Sequence, residues 1–164
     1  MRITRQQLTL FVEEPFSNTI ETIRKKYNPE QFQLIKAHVT LCREDEITDI
    51  ENVLKNLRNL DFGAITINFG EIIRFSEGKG LLISADKNND PFHQLRESIL
   101  SNIIEKPRKH NPHITLMHPR NSSCTDEIFN KINQISFPQR IKFHKISLIE
   151  QENGGKWRIL EEFI

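Results

Sequence analysis

His38-Val39-Thr40-Leu41 and His113-Ile114-Thr115-Leu116 are two copies of one signature, 75 positions apart in a chain of 164 residues. Each copy is a short apolar run with β-branched residues and reads as a strand. Side chains alternate between the faces of a strand, so the His and Thr of each copy share one face, while Val39, Leu41, Ile114 and Leu116 turn into a core. Same-face neighbours lie about 6.6–6.8 Å apart, close enough for a ring nitrogen and a hydroxyl to hold one small group between them. A phosphate fits that space. A single His-x-Thr strand is ordinarily structural, its imidazole satisfied by backbone and its threonine chosen for strand propensity. The repetition is what points to function. Two such strands face to face present two imidazoles and two hydroxyls to one centre, the set that acid-base chemistry at phosphorus needs.

The segments around the signatures repeat as well. A strand-like run at Leu8-Thr9-Leu10-Phe11-Val12 starts 30 residues before His38, and Leu81-Leu82-Ile83-Ser84-Ala85 starts 32 before His113. A helix follows each run: Asn18 to Tyr27, opened by an Asn18/Glu21 capping pair, and Pro91 to Ile103, with Asp90 as N-cap. After the signatures, Thr48 and Glu51 form a capping box ahead of Ile50, Val53, Leu54 and Leu57. Thr125-Asp126-Glu127 opens a run with Ile128, Phe129, Ile132 and Ile135 on its apolar side. Strand-like segments then span Ile65 to Phe75 and Arg140 to Glu150. Ser76 to Gly80 reads as a tight turn, and Asn153-Gly154-Gly155 as a hairpin turn feeding a closing strand from Lys156 to Phe163. The order strand, helix, signature strand, helix, strand thus occurs twice. It predicts an α+β fold: two lobes related by a pseudo-two-fold axis, antiparallel sheets with helices packed outside, and a central cleft. No linker divides the halves, so residues 1–164 form one two-lobed domain.

Composition narrows the function. A net charge of +1, from 23 basic and 22 acidic residues, argues against a general positive field for long nucleic acid and suits a small or end-bound ligand. No apolar stretch approaches membrane-spanning length and the N-terminus leads straight into a strand, so a cytoplasmic location is expected. Cys42 and Cys124 have no C-x-x-C spacing and read as free thiols of a reducing compartment. Cys42 shares a face with His38 and Thr40 and is expected to be a small wall residue.

The doubled signature resembles that of the two-histidine (2H) phosphoesterase superfamily, whose bacterial members are labelled 2'-5' RNA ligase-like. The resemblance covers nearly the whole chain. Lys109-His110-Asn111-Pro112, and Gly70-Glu71-Ile72-Ile73-Arg74-Phe75 followed by Gly80-Leu81-Leu82, look like the segments flanking the second motif in that family. Arg24-Lys25-Lys26-Tyr27-Asn28-Pro29 looks like a smaller bacterial branch. The resemblance implies metal-independent hydrolysis or transfer at a phosphodiester, such as a 2',3'-cyclic phosphate of a nucleotide or RNA end, in a cleft between two lobes. His38 and His113 would be the catalytic pair, and Thr40 and Thr115 the phosphate-binding hydroxyls.

Histidine suits the chemistry because a pKa near 6.5 lets one ring be neutral and the other protonated near neutrality. One activates water and the other protonates the leaving oxygen, which predicts a bell-shaped rate profile. Arg43, His110 and Arg120 are candidate substrate contacts, and Phe75 a candidate for stacking on a base. Lys106 to His110 forms a basic loop that would steer a phosphate, and Trp157 is expected to pack. His110, His113, His118 and Cys124 match no compact zinc spacing, so neither metal nor cofactor is expected. The expected partner is a small nucleotide or RNA end. No membrane and no obligate protein partner is anticipated, and the protein is expected to be a monomer. A non-catalytic nucleotide- or RNA-end-binding module using the same cleft is the alternative.

Overall fold

The computed structural model describes residues 1–86 and 88–164. Its eight strands are β1 (Thr4–Phe11), β2 (His38–Cys42), β3 (Ile65–Phe75), β4 (Gly80–Ala85), β5 (Ile114–Met117), β6 (Arg140–Phe143), β7 (Ile146–Glu152) and β8 (Arg158–Phe163). They form one sheet in the order β6-β3-β4-β5-β2-β1-β7-β8, with every neighbouring pair antiparallel. The fold is α+β with a single continuous sheet where separate sheets were expected. The signature strands β2 and β5 are central neighbours, joined where Val39 faces Ile114.

That junction is set by the alternation seen in the sequence. Val39, Leu41, Ile114 and Leu116 are buried and belong to the core, while His38, Thr40, His113 and Thr115 on the opposite face are half-buried. Burying each of the four apolar side chains stabilises the fold by about 1.5–3 kcal/mol relative to exposure. Among the described residues, five α-helices complete the fold: α1 (Ser17–Tyr27), α2 (Pro29–Leu34), α3 (Ile50–Arg58), α4 (Asp90–Ile99) and α5 (Asp126–Ile132). Ile20 and Ile23 of α1, Val53 and Leu57 of α3, and Phe92, Leu95 and Ile99 of α4 join the same core. These helices therefore pack on the apolar face, opposite the His/Thr positions.

Several boundaries differ from the sequence reading. Arg140 to Glu150 is two strands, broken at His144 and Lys145: β6 pairs with β3, while β7 crosses to pair with β1. The Asn18/Glu21 cap does not form, because Glu21 accepts from the Ala37 N–H and from Arg24 instead. Asp49, not Thr48, is the N-cap of α3, and Asn89, not Asp90, that of α4, which stops at Ile99. The Thr125 cap does form, its hydroxyl accepting from the Ile128 N–H at 3.2 Å. Helix α2 was not foreseen; Pro29 at its start fits the first helical turn, where a missing N–H costs nothing. At the β7–β8 hairpin, Asn153 (φ 51°) and Gly154 (φ 71°) take the left-handed backbone that such tight turns require.

Candidate functional site

Antiparallel pairing through Val39 and Ile114 has a direct consequence for the side chains beside them. Carried one residue each way, the register sets His38 opposite Thr115 and His113 opposite Thr40. Each imidazole thus faces the hydroxyl of the other signature. The two histidines are diagonal neighbours, a relation that separates residues by about 7–8 Å and stays within reach of ring side chains.

Both rings are oriented by the same device. His38 Nδ1 lies 2.8 Å from the Lys36 carbonyl and His113 Nδ1 lies 3.2 Å from the Asn111 carbonyl, two residues back in each case. A carbonyl only accepts, so Nδ1 carries the proton and Nε2 bears the lone pair. His38 is further held by an edge-on contact with Phe11, at 6.2 Å between ring centres. Burial pulls the His38 pKa down to about 4, against the Lys36 bond that raises it; the positive charge of Arg24 adds to the fall. Burial also lowers His113, opposed by the Asn111 bond and aided by Arg43. Both shifts favour the neutral ring in the free protein. An anion between them is what would restore a proton.

A cleft of about 570 Å³ opens beside His113, with Arg5, Gln7, Thr40, Arg43, His110 and His113 in its wall; His38 and Thr115 are not among its lining residues. Glu44 and Asp45 stand at the same wall. Arg5 donates to Glu44 at 2.8 Å and its guanidinium lies over Trp157, 5.5 Å from the ring centre. His110 donates from Nε2 to the Thr40 carbonyl at 3.3 Å and meets Phe92 edge-on. Its pKa falls to about 4, from burial first and the charge of Arg96 second.

Other expected contacts lie elsewhere. Phe75 rests on the backbone of Gly80, where an added Cβ would come within 2.5 Å of its ring, and it is not part of the cleft wall. Arg120 is exposed beyond β5, where its N–H donates to His118 Nδ1 at 3.1 Å. Cys42 turns into the core because the β1–β2 register slips between Leu8 and Thr9. Burial pushes its thiol pKa up to about 12, so it is no nucleophile. In the basic loop, Arg108 is paired with Asp45 at 2.8 Å and with Glu46 at 3.5 Å, so its charge is largely spent on the protein itself. Among the described residues no three His, Cys, Asp or Glu side chains come together as a metal-binding group.

Two buried arginines hold the site from beneath, and the sequence reading missed both. Arg96 is 2% exposed and donates to Glu46, to the Leu41 carbonyl and to the Arg108 carbonyl. It ties the end of β2 to the loop entering β5. Arg24, also 2% exposed, donates to Glu21 and to the Ile35 carbonyl just before β2. Burial works to raise the Glu46 pKa, but the Arg96 hydrogen bond, the Arg43 N–H and the charges of Arg96 and Arg108 prevail and hold it below the ordinary carboxylate value. The signal for Arg96 was its position four residues from both Phe92 and Leu100, on the apolar stripe of α4. Gln7 was also missed. Its amide donates to Thr9 Oγ1 at 2.9 Å and Thr40 Oγ1 at 3.2 Å, and its alternation with Arg5 and Thr9 along β1 was visible.

Residues 12–155 match the family described as the 2'-5' RNA ligase superfamily. The fold is similar to that of E. coli LigT in its apo form, at 15% identity and a TM-score of 0.68, covering 99% of this chain and 97% of that chain. E. coli LigT complexed with 3'-AMP is similar at 13% identity and a TM-score of 0.65, over 98% of this chain and 96% of that chain. A structure described as a phosphoesterase gives 11% identity and a TM-score of 0.65, with 98% of each chain covered. At such identities the likeness establishes the fold alone. No curated protein sequence gives a match.

Proposed function

The chain belongs to the 2'-5' RNA ligase superfamily, the two-histidine phosphoesterases that its signatures resemble, and we propose that it is a metal-independent phosphodiesterase acting on a cyclic phosphate of a nucleotide or RNA end. The observation that carries this reading is the antiparallel Val39–Ile114 pairing of β2 and β5, which, carried one residue each way, sets each signature histidine opposite the other signature's threonine. A phosphorus centre between them meets two lone-pair nitrogens and two hydroxyls. His38, the more strongly depressed of the two, is neutral and takes the proton of water, while His113, protonated at Nε2 once the anionic phosphodiester is bound, delivers that proton to the leaving oxygen. Thr40 and Thr115 donate to the non-bridging oxygens, and Arg43 at the cleft wall offsets their charge.

The two-lobed duplication is part of the same proposal. Reading outward from the β2–β5 junction, Phe11 faces His38 and Thr9 faces Thr40, while Leu82 faces Thr115; each side then slips register one step later, at Leu8/Thr9 and at Leu81/Leu82. The buried Arg24 and Arg96 clasp the segments entering the two signature strands. These correspondences support a pseudo-two-fold axis between β2 and β5.

The test is a panel of cyclic phosphates, including 2',3'-cyclic AMP and 2',3'-cyclic GMP, assayed with chelator present and with the product isomer identified. Turnover by the wild type that survives chelation and falls by about 10²–10⁴ in His38→Ala and in His113→Ala supports the proposal. Binding without turnover marks a nucleotide-binding module instead.

A further inference from the structure

Thr40 and Thr115 are equivalent in the signatures but not in their surroundings. Thr9 stands opposite Thr40 on β1, whereas Leu82 stands opposite Thr115 on β4. Two residues before Thr9 is Gln7, and two before Leu82 is Gly80, whose backbone is covered by Phe75. Among the described residues, therefore, only the first signature has an amide beside its hydroxyl. We propose that Gln7 is a positioning residue that commits the Thr40 hydroxyl to donate into the cleft, making the phosphate site directional.

The reasoning is one of hydrogen-bond inventory. A threonine hydroxyl has one hydrogen and two lone pairs, and left alone it rotates to suit its neighbours. Gln7 Nε2 donates to Thr40 Oγ1 at 3.2 Å and to Thr9 Oγ1 at 2.9 Å, so both amide hydrogens are used. Thr9 is fully buried, which fixes the amide on its inner side. With a lone pair of Thr40 Oγ1 occupied by Gln7, its hydrogen turns toward the cleft, where Gln7 and Thr40 both form wall. The backbone beneath is held too, because the Thr40 carbonyl accepts from His110. An anion at this point meets a donor already aimed, with no rotor to freeze. Thr115 lacks that preparation and must orient when the ligand arrives. One non-bridging oxygen is thus assigned to the Thr40 side, opposite His113, and the ligand enters in one of the two orientations that the repeat would otherwise permit.

This inference rests on the phosphate-site reading above, and its test is a double-mutant cycle that separates the two. Inorganic phosphate is titrated calorimetrically into the wild type, Gln7→Leu, Thr40→Val and Gln7→Leu/Thr40→Val, with Gln7→Met as a second variant that keeps side-chain length, and thermal midpoints verify folding. The expected result is a phosphate affinity about tenfold weaker in Gln7→Leu and Gln7→Met, the scale of one lost hydrogen bond. No further loss is expected from Gln7→Leu once Thr40 is Val. A parallel cycle with Thr115→Val should be additive. Unchanged affinity in both Gln7 variants overturns the inference, as does an equal Gln7 effect with and without the Thr40 hydroxyl. Full turnover in His38→Ala would instead overturn the phosphodiesterase reading, whatever Gln7 does.

Discussion

Replacing Glu46 by Gln tests how the site is held. Arg96 and Glu46 are 2% and 5% exposed in their side chains, with Nη2–Oε2 at 2.6 Å and Nη1–Oε1 at 3.1 Å. Bringing two charges out of water is costly, and the pair is tolerated because the arginine also donates to the Leu41 and Arg108 carbonyls and the carboxylate accepts the Arg43 N–H at 2.9 Å. The substitution leaves the guanidinium buried without its counter-charge, which costs about 3–5 kcal/mol. For a chain of this size that lowers Tm by about 6–20 °C. The loss should reach the site as well, since the pair joins the end of β2 to the loop bearing His110. The matched hydrophobic exchange Arg96→Met/Glu46→Leu removes both charges and should recover most of the stability. Urea unfolding and thermal melts at pH 7 give the comparison. A Glu46→Gln midpoint within 2 °C of wild type, or a double variant no better than the single, would refute the reasoning.

Other outcomes follow from the same geometry. Because His38 and His113 are both depressed in the free protein, kcat/KM should peak between pH about 4 and 6.5 and fall toward alkaline pH as the acid is lost; a maximum above pH 7 contradicts this. The unfolded chain binds a proton at His38 near 6.5 while the folded chain resists until about 4, so stability is full above pH 6.5 and declines across that window by about 2–3 kcal/mol. His38→Gln should flatten that slope in urea titrations at stepped pH. Glu46, held below its ordinary value, adds a later loss as pH falls through its folded pKa, and Glu46→Gln should remove it. Leu41→Ala, emptying a fully buried position under the first signature, should cost about 2–5 kcal/mol in equilibrium unfolding.

The central features were legible because they rest on period and repetition. Alternation placed Val39, Leu41, Ile114 and Leu116 in the core and left the His/Thr positions on the other face, as found. Thr125 announced its helix because its capping bond is local, the hydroxyl accepting from the Ile128 N–H three residues on. Glu21 did not, because a buried backbone N–H at Ala37 and the guanidinium of Arg24 compete for its carboxylate, and both partners are tertiary. The break at His144 and Lys145 was hidden for a related reason: β6 and β7 are both apolar in alternate positions, and only their partners β3 and β1 separate them. Phe75 illustrates the limit of aromatic residues as signals, since its ring serves the β3–β4 turn over Gly80. Alternation along β1 put Gln7 on the same face as Thr9, but its partner Thr40, like the partners of Glu46, came into view only once β1 and the turn after β2 lay beside the signature strands.

Histidine 15N resonances followed during a phosphate titration test most directly whether two imidazoles serve one phosphorus centre. Nε2 of His38 and of His113 should shift together, with one dissociation constant and one phosphate per chain, while Nδ1 of each keeps the signature of a proton held on a carbonyl. Movement of only one ring, or of each with its own constant, would contradict it.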